Sequence, residues 1–527
     1  MSQPLAVPAR EAARRRSIAV ISHPDAGKST LTEAIALHAN MIREAGSVHG
    51  RGGRSGVVSD WLELEQRRGI SITSAALQFE YHDLVINLLD TPGHADFSED
   101  TYRVLMAVDV AIMLLDAAKG IEPQTLRLFE VCRERGVPVI TFVNKWDRPG
   151  KEALELCDEI ETRLSMTVTP VTWPVGDGGH FRGLLKPADN SVTFYERAPG
   201  GATLAESTTV PTAEARLIAP ADTAQAEESC GLLGAPDPAT FAAGRSTPLL
   251  FGTALANIGV RELLDTIETL APSPPPRPQA DGTPRPVDSE FSGFVFKMQA
   301  GMDKQHRDHV AFVRVCSGEF TRGMGLVHGP TGRPIITKHA LSMFGRDRQS
   351  VEHAYPGDVV GLVNAALLAV GDTLYSPDGP PAQFPPMPAF APKHFAVARV
   401  ADPGRSKQFR RGITQLEHEG VVQVLVSPSR GDATPILAAV GPLQFEVATF
   451  RMANEFNAEM RVESLNYELA RRASPSDETA LAGAPGVEIA RRSDGENLAL
   501  FRDQWRLRSL TTANPALELA PLFADQL

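Results

Sequence analysis

Hydrophobic residues in the first 145 positions fall into short uninterrupted runs that alternate with stretches of helical periodicity. The runs SIAVIS (17–22), LVINLLD (84–90), DVAIMLLD (109–116) and VPVITFVN (137–144) are typical of strands buried on both faces. Between them, STLTEAIALHANMI and PQTLRLFEVCRERG repeat apolar residues at helical spacing. This alternation predicts a multidomain α/β protein whose first domain has a doubly wound, mostly parallel sheet.

The pattern changes within this first domain, for which we expect the bounds 1–272. Residues 187–247 are rich in Ala, Thr, Pro and Glu and have weak periodicity, so they indicate an inserted subdomain. The segment TPLLFGTALAN (247–257) then returns to the earlier pattern of short apolar runs, and it predicts a buried strand that ends in a polar turn. Residues 273–290 are proline-rich, which is typical of a semi-rigid linker.

Two further domains follow the linker. Short strands separated by Gly, Asp and Asn turns predict a β-barrel over residues 291–385. Alternating strand and helix patterns predict an α+β domain over 386–470, which we expect to be ferredoxin-like. Residues 471–527 carry little apolar pattern, so we expect them to form a peripheral helical tail.

Composition narrows the class of protein. A net charge of −12 argues against a simple basic nucleic-acid binder, although it leaves room for local basic clusters. Four cysteines without a C-x-x-C pair indicate neither a disulfide framework nor a zinc site. No stretch approaches the ~20 apolar residues that span a bilayer, and the apolar run near the start is too short for a secretory signal. We therefore expect a cytoplasmic protein.

A candidate phosphate-binding loop follows the first predicted strand. Backbone N–H groups at such a strand-to-helix turn attract phosphate, glycine lets the backbone approach it, and the GKS lysine and serine would reach phosphate oxygens and Mg²⁺. Alone, GKS would suit an ordinary helix N-terminus equally well. The loop, SHPDAGKST, consists of Ser22, His23, Pro24, Asp25, Ala26, Gly27, Lys28, Ser29 and Thr30.

The motif DTPGH follows the second predicted strand and comprises Asp90, Thr91, Pro92, Gly93 and His94. Asp90 is placed to hold Mg²⁺ through water, and the Gly93 N–H to meet a γ-phosphate. His94 is placed to face the attacking water. A surface turn with a capping residue would explain DTPG alone, but it explains poorly a motif paired with a phosphate loop.

The motif NKWD closes another predicted strand and comprises Asn144, Lys145, Trp146 and Asp147. The Asp147 carboxylate suits the ring N–H and amino group of guanine, whereas adenine would leave it partly unpaired. Lys145 would lay its stem over the base, and Asn144 would tie this loop to the phosphate loop. Three such motifs, each at the carboxyl end of a strand, favour a nucleotide site over coincidence.

The segment GTAL supplies a weaker fourth loop. It contains Thr253, Ala254 and Leu255, and the N–H groups of Ala254 and Leu255 are predicted to meet the guanine O6. With the other three motifs, it predicts a site for GTP and GDP.

At this point the sequence resembles a known family, the translational GTPases. The resemblance lies in SHPDAGKST, SDWLELEQRRGISITSAA (59–76), DTPGHADFSEDTYRVLMAVD (90–109), NKWDRPG and FGTALANIGV (251–260). It implies that Ser29, Ser71 and Asp90 hold Mg²⁺, with serine at 71 where most relatives have threonine. It also implies that His94 positions the hydrolytic water on the ribosome.

The order of domains refines what the resemblance implies. An insertion separates NKWD from GTAL, which begins 105 positions after Asp147, and a barrel and an α+β domain follow. Translocating relatives carry two more domains, for which we see no length here. The implied function is that of a ribosome-dependent GTPase of translation termination, which promotes dissociation of class I release factors after peptide release. A monomer that contacts the ribosome is also implied.

Two alternatives remain open. One is another ribosome-associated GTPase, which acts in elongation, stress recovery or ribosome protection. A more distant one is a metabolic enzyme that uses GTP, although no acceptor pocket with its own acid and base residues is evident. The basic clusters GRSKQFRRG (404–412) and KMQAGMDKQHRDH (297–309) would suit either ribosome contact or solvated surface turns.

Overall fold

The computed structural model describes most of the chain. Its described residues are 6–39, 76–92, 96, 98–176, 180–196, 205–300, 309–337, 340–344, 347–363, 365, 367–387, 390–431, 433–481 and 483–522. All four cysteines are buried free thiols. Within the described ranges, no helix has the length and apolar character needed to cross a membrane.

The first domain alternates strands and helices. Its strands are β1 (Arg15–Ser22), β2 (Ala76–Tyr81), β3 (Leu84–Asp90), β4 (Val110–Asp116), β5 (Val139–Asn144), β6 (Thr167–Pro170), β7 (Trp173–Val175), β8 (Gly183–Lys186), β9 (Ser191–Tyr195), β10 (Ser207–Pro211) and β11 (Ser246–Phe251). Its helices are α1 (Val7–Ala13), α2 (Lys28–His38), α3 (Ser98–Leu105), α4 (Pro123–Glu134), α5 (Ala153–Leu164), α6 (Thr212–Ile218), α7 (Pro220–Cys230), α8 (Pro238–Ala242) and α9 (Val260–Leu270).

Seven of these strands form one sheet in the order β2-β3-β1-β4-β5-β11-β6. The β2–β3 pair is antiparallel and the other five pairs are parallel. Alternate residues enter opposite cores, so Ile18 and Val20 pack with α2 and α9, whereas Ile21 packs with α4 and α5. The predicted doubly wound, mostly parallel sheet is confirmed.

The inserted subdomain begins earlier than the sequence pattern predicts. Its antiparallel sheet, in the order β10-β9-β8-β7, starts at Trp173 and not near 187. The subdomain contacts α9 through Glu262 of that helix. Glu262 accepts a hydrogen bond from the Tyr195 hydroxyl at 2.9 Å and pairs with Lys186 at 3.2 Å. The boundary was misplaced because β7 and β8 are short and lack a distinctive pattern.

The linker is anchored and the predicted barrel strands are present. The strands are β12 (Arg277–Pro278), β13 (Pro284–Arg285), β14 (Ser292–Ala300), β15 (His309–Ser317), β16 (Phe320–Thr321), β17 (Gly325–His328), β18 (Pro334–Ile336), β19 (Ala340–Phe344), β20 (Asp347–Ser350), β21 (His353–Ala354), β22 (Val359–Val363) and β23 (Thr373–Tyr375). Eight of them form an antiparallel, barrel-like sheet in the order β18-β17-β23-β14-β15-β22-β19-β20. Buried Arg285 holds the linker to the Ser317 hydroxyl at 3.0 Å.

Two strands from the expected tail complete the sheet of the C-terminal domain. The elements are β24 (His394–Val400), α10 (Ser406–His418), β25 (Gln423–Val426), β26 (Ile436–Ala439), α11 (Leu443–Asn454), β27 (Met460–Ser464), β28 (Leu469–Arg472), α12 (Pro475–Leu481), β29 (Val487–Arg492), β30 (Asn497–Phe501) and α13 (Gln504–Ala513). The strand order is β27-β24-β26-β25-β29-β30-β28. Its first four strands, with α10 and α11, give the predicted ferredoxin-like arrangement.

The prediction of a peripheral helical tail after 471 is therefore wrong. β29 pairs with β25, and β30 lies between β29 and β28. Leu498, Leu500 and Phe501 are fully buried. The sequence pattern missed these strands because each is short, and β29 carries arginine at its exposed position.

The barrel joins the first domain through a buried polar contact. Arg15, at the start of β1, pairs with Asp358 at 2.7 Å. Arg314, on β15, pairs with Asp109 at 2.6 Å. The Ser17 hydroxyl donates to the Gly357 carbonyl at 2.7 Å. Because these groups are buried and paired, the contact holds the barrel away from the opposite sheet edge, where the predicted nucleotide loops begin.

A substitution of Glu488, on β29, would test whether the added strands stabilise the C-terminal domain. Glu488 accepts from Arg430 Nε at 2.7 Å and Nη2 at 2.9 Å, and from the Tyr467 hydroxyl at 3.0 Å. Removing this charge with Glu488→Gln should destabilise the C-terminal domain by roughly 1–3 kcal/mol, since hydrogen bonds to a charged group are lost. Thermal unfolding would measure the loss, with exposed Glu468→Gln as the control.

The same variant should flatten the dependence of stability on pH. Burial alone raises the pKa of Glu488, but hydrogen bonds from Arg430, Ser427 and Tyr467, together with the charge of Arg430, outweigh it and hold that pKa below its usual range. The stabilisation is therefore present above the unfolded pKa of about 4.3 and disappears as the pH falls through the folded pKa. Identical acid profiles for Glu488→Gln and the unsubstituted chain would contradict this role.

Candidate guanine-nucleotide site

The predicted loops begin at one edge of the first sheet. β1 ends at Ser22, β3 at Asp90, β5 at Asn144 and β11 at Phe251. All four are parallel strands, so their carboxyl ends point the same way. In open α/β sheets this edge is where ligands bind.

The phosphate loop needs glycine at position 27. Gly27 has φ of +100° and directly precedes α2, which begins at Lys28. A side-chain carbon at this position would overlap the Asn144 amide. The first-turn N–H groups of α2 therefore face the edge, where they suit an anion. The Ser22 hydroxyl is buried without a hydrogen-bond partner.

Lys28 joins the phosphate loop to Asp90 and Thr91 at the end of β3. Its Nζ lies 2.8 Å from Asp90 Oδ1 and also donates to the Thr91 carbonyl. The Thr91 hydroxyl donates to the Val20 carbonyl at 2.6 Å, which fixes this segment against β1. Lys28 and Asp90 are both buried, so each holds its partner in place.

The donor set beside Lys28 fits a magnesium ion bound with phosphate. The second Asp90 oxygen, Oδ2, is buried without a partner, and Ser29 lies in the first turn of α2. Carboxylate, hydroxyl and phosphate oxygens are the ligands Mg²⁺ prefers. Among the described residues, no three carboxylate, histidine or cysteine side chains converge, so an all-protein metal cage is absent there.

Asn144, in the NKWD loop, bonds to both the phosphate loop and the GTAL loop. The sequence predicted the first of these two contacts. The Asn144 Nδ2 donates to the Ala26 carbonyl at 2.8 Å in the phosphate loop. Its Oδ1 accepts from the Ala254 N–H at 2.9 Å in the GTAL loop. Both hydrogen bonds are buried, so the single amide fixes the loops relative to one another.

The contact with Asn144 gives the Ala254 N–H a partner within the protein. That N–H was predicted to meet the guanine O6, but here it donates to Asn144. The Thr253 N–H donates to the Ile258 carbonyl and closes the loop. Leu255 follows in the first turn of a short 3-10 helix, 55% exposed, where first-turn N–H groups have no partner within the helix.

Lys145 links the phosphate loop to the end of β4. Its Nζ donates to the Asp25 carbonyl and lies 2.8 Å from Asp116 Oδ2. Burial alone raises the pKa of Asp116, but hydrogen bonds from Lys145 and the Ala118 N–H outweigh it and hold the pKa below its usual range. Sequence reasoning missed Asp116, although its position at the end of β4 was the available signal.

Trp146 and Asp147 have different surroundings. Trp146 is buried, its ring meets Phe251 edge to face at 4.8 Å, and its backbone N–H donates to the Gly252 carbonyl at 3.1 Å. The Asp147 carboxylate is partly exposed, and no described group bonds to it. It is thus available to a ligand at this edge.

Three predicted residues, Ser71, Gly93 and His94, lie outside the described residues. His23 was predicted as part of the phosphate loop, and its Nε2 lies 3.3 Å from Glu122 Oε1. Glu122, just before α4, is a further residue that no motif indicated.

Three family models match successive parts of the chain. Residues 13–273 match the Elongation factor Tu GTP binding domain, 290–377 match Elongation factor G domain 2, and 384–511 match the Class II release factor RF3, C-terminal domain. The last match includes β29 and β30. A crystal structure of a protein from Thermus thermophilus shares the fold, with a TM-score of 0.70 at 21% identity over 87% of this chain and 68% of that one.

Curated relatives cover nearly the whole chain. Peptide chain release factor 3 of Gloeobacter violaceus is 46% identical over 98% of this chain and 99% of its own length. The protein of the same name in Synechococcus elongatus is 44% identical over 97% and 94%. The chain therefore belongs to the peptide chain release factor 3 family, the GTPases of translation termination.

Proposed function

We propose that the four loops bind GTP and GDP together with Mg²⁺. The phosphate contacts would come from Ser22–Thr30 and Asp90–His94, and the guanine contacts from Asn144–Asp147 and Thr253–Leu255. Mg²⁺ would be held by Ser29, Ser71 and Asp90, the last through water. When bound, the ion would neutralise charge on the phosphates.

The observation that carries this proposal is the buried Asn144 amide. It bonds to the phosphate loop at 2.8 Å and to the GTAL loop at 2.9 Å. Lys28 and Asp90 extend the same cluster by a 2.8 Å ion pair. Such an array orients phosphate and base groups together before a nucleotide arrives, which lowers the cost of binding.

Hydrolysis would require the ribosome. In this proposal His94 positions the attacking water once the ribosome orders it, and Lys28, with the loop amides, stabilises charge on the phosphates. The GTP form would favour one arrangement of the ribosomal subunits, from which a class I release factor dissociates, and hydrolysis would then free the chain. We propose that it acts as a monomer in the cytoplasm.

The basic face of α10 is a candidate ribosome contact. Arg410 and Arg411 are exposed and have no ion-pair partner among the described residues. With Met298, His309 and His418 they line a cleft of about 340 Å³ between the barrel and the C-terminal domain. Unpaired arginines in a cleft suit a phosphate backbone.

Asn144→Ala should weaken GTP and GDP binding alike. The change removes two buried hydrogen bonds that align three loops, which together are worth about 2–3 kcal/mol, or a roughly 30- to 150-fold rise in Kd. Titration with fluorescent guanine nucleotides would measure it. Asn454→Ala is the matched control because that amide bonds only to the Phe450 carbonyl on an exposed helix face. Unchanged affinities would remove Asn144 from the site.

Recycling of a class I release factor tests the whole function. GTP turnover should rise strongly with ribosomes, and the chain should release a bound class I factor from a termination complex in the presence of GTP. His94→Ala should abolish stimulated turnover and leave nucleotide affinity within about twofold, since it removes water positioning alone. Stimulated turnover without recycling would instead indicate a different ribosomal task.

Charge reversal at Arg410→Glu with Arg411→Glu should lower ribosome-stimulated turnover at least several-fold and leave GDP affinity intact. The cleft would then repel phosphate, and the loss should shrink as salt is raised. Arg245→Glu, at an exposed arginine of the first domain, is the control. Equal stimulation in the reversed and control variants would exclude the cleft as a contact.

A further inference from the structure

Helix α3 connects the nucleotide edge to the C-terminal domain. It begins eight residues after Asp90, the residue that pairs with Lys28 at the phosphate loop. Its Tyr102 ring is fully buried and meets Phe390, at the border of the C-terminal domain, at 5.2 Å. Two charged contacts, one on each side of Tyr102 in the chain, extend this junction.

Asp96 binds the amino terminus of α11. Its Oδ2 accepts from the Leu443 N–H at 2.8 Å, across 347 positions of sequence. That N–H belongs to the first turn of α11, so it has no partner within the helix, and the carboxylate also complements the helix dipole. Gly441 leaves room for the contact, because a methyl group there would overlap the Asp96 carboxylate.

Arg103 makes the second contact with the C-terminal domain. Its guanidinium is buried and held by Glu99 at 2.6 Å and Asp100 at 3.0 Å, both on α3. It also reaches the Glu419 carbonyl at 3.5 Å, at the end of α10. A side chain at Gly420 would overlap the guanidinium, so the C-terminal domain is shaped to receive it.

The two receiving turns are tied to each other. Gln444 accepts from the Val440 N–H at 2.8 Å and donates to the Val421 carbonyl at 2.8 Å. Arg451, on α11, pairs with Glu419 at 2.7 Å. The turn that meets Arg103 and the turn that meets Asp96 therefore belong to one preformed surface of the C-terminal domain.

We propose that Asp96 and Arg103 are positioning residues that couple the placement of the C-terminal domain to GTP hydrolysis. A shift of that domain would move α11 and the end of α10, and the paired contacts would carry α3 with them. Because α3 closely follows Asp90, its movement would alter the arrangement of Asp90 and Thr91 beside Lys28. This inference rests on the proposed ribosome-stimulated hydrolysis and names how the same site is regulated.

Asp96→Ala and Gly441→Ala break the same contact from opposite domains. Each should lower the kcat of ribosome-stimulated GTP turnover roughly tenfold, the scale of one charge-assisted hydrogen bond. The KM for ribosomes and the affinities for GTP and GDP should stay within about twofold. Asp96→Asn keeps an acceptor oxygen and should restore most of the stimulated rate.

The double variant provides the decisive comparison. Without the Asp96 carboxylate, the added methyl group at position 441 has space, so the double variant should be no slower than Asp96→Ala alone. Asp503→Ala removes a similar helix cap at 2.6 Å from the Arg506 N–H, and Gly234→Ala adds a methyl group in open space. Both controls should keep the stimulated kcat.

Additive losses in the double variant, or a loss of nucleotide affinity equal to the loss in kcat, would overturn the proposal. A second measurement separates it from the proposed function. Spin labels at Glu134→Cys and Thr512→Cys, both exposed, should give a narrower distance distribution in the parent chain than with Gly441→Ala added. If ribosomes fail to stimulate the parent chain, the proposed function fails, and an unchanged distribution would still overturn the contact's role.

Discussion

The nucleotide edge depends on one buried amide. Asn144 donates to the Ala26 carbonyl and accepts from the Ala254 N–H, so three loops that are far apart in sequence share one fixed point. A buried amide tolerates little displacement, because each lost hydrogen bond leaves an unpaired polar group. The close approach of Gly27 to this amide follows from the same constraint. Loops held in this way can present N–H groups to a nucleotide without first being ordered by it.

Charged groups organise the boundaries between the domains in two different ways. At the barrel, Arg15 and Arg314 are buried against Asp358 and Asp109, far from the nucleotide edge. At α3 the charged groups instead lie next to the segment that carries Asp90. The barrel contact thus suits a fixed support, because it lies far from the nucleotide edge. The α3 contact suits transmission, because a buried ion cluster resists partial separation and this one lies next to the segment that carries Asp90.

The features that could be predicted from the sequence are those that a local pattern of residues encodes, namely the central strands and the loop motifs. The central strands were found because Val110–Asp116 and Leu84–Asp90 are continuous apolar runs, which a doubly covered sheet requires. The loops were found because their chemistry constrains residue type at fixed spacing. Asp116 carries no motif, and its role depends on where Lys145 reaches after folding. The Ala254 N–H, which we predict to meet the guanine O6, donates here to a side-chain acceptor from another loop, a contact that sequence spacing does not reveal.

The contacts that the sequence could not indicate are those that link domains. Asp96 and Leu443 are 347 positions apart, and no sequence pattern indicates that they are in contact. Strands β29 and β30 were missed for a related reason, since they join the sheet through the long-range pairing of β29 with β25, and β30 then pairs with β29. Yet these strands complete the sheet against which the surface that receives α3 is built. The nucleotide loops define what the chain can bind, and the long-range contacts determine whether a distant domain can alter the nucleotide site.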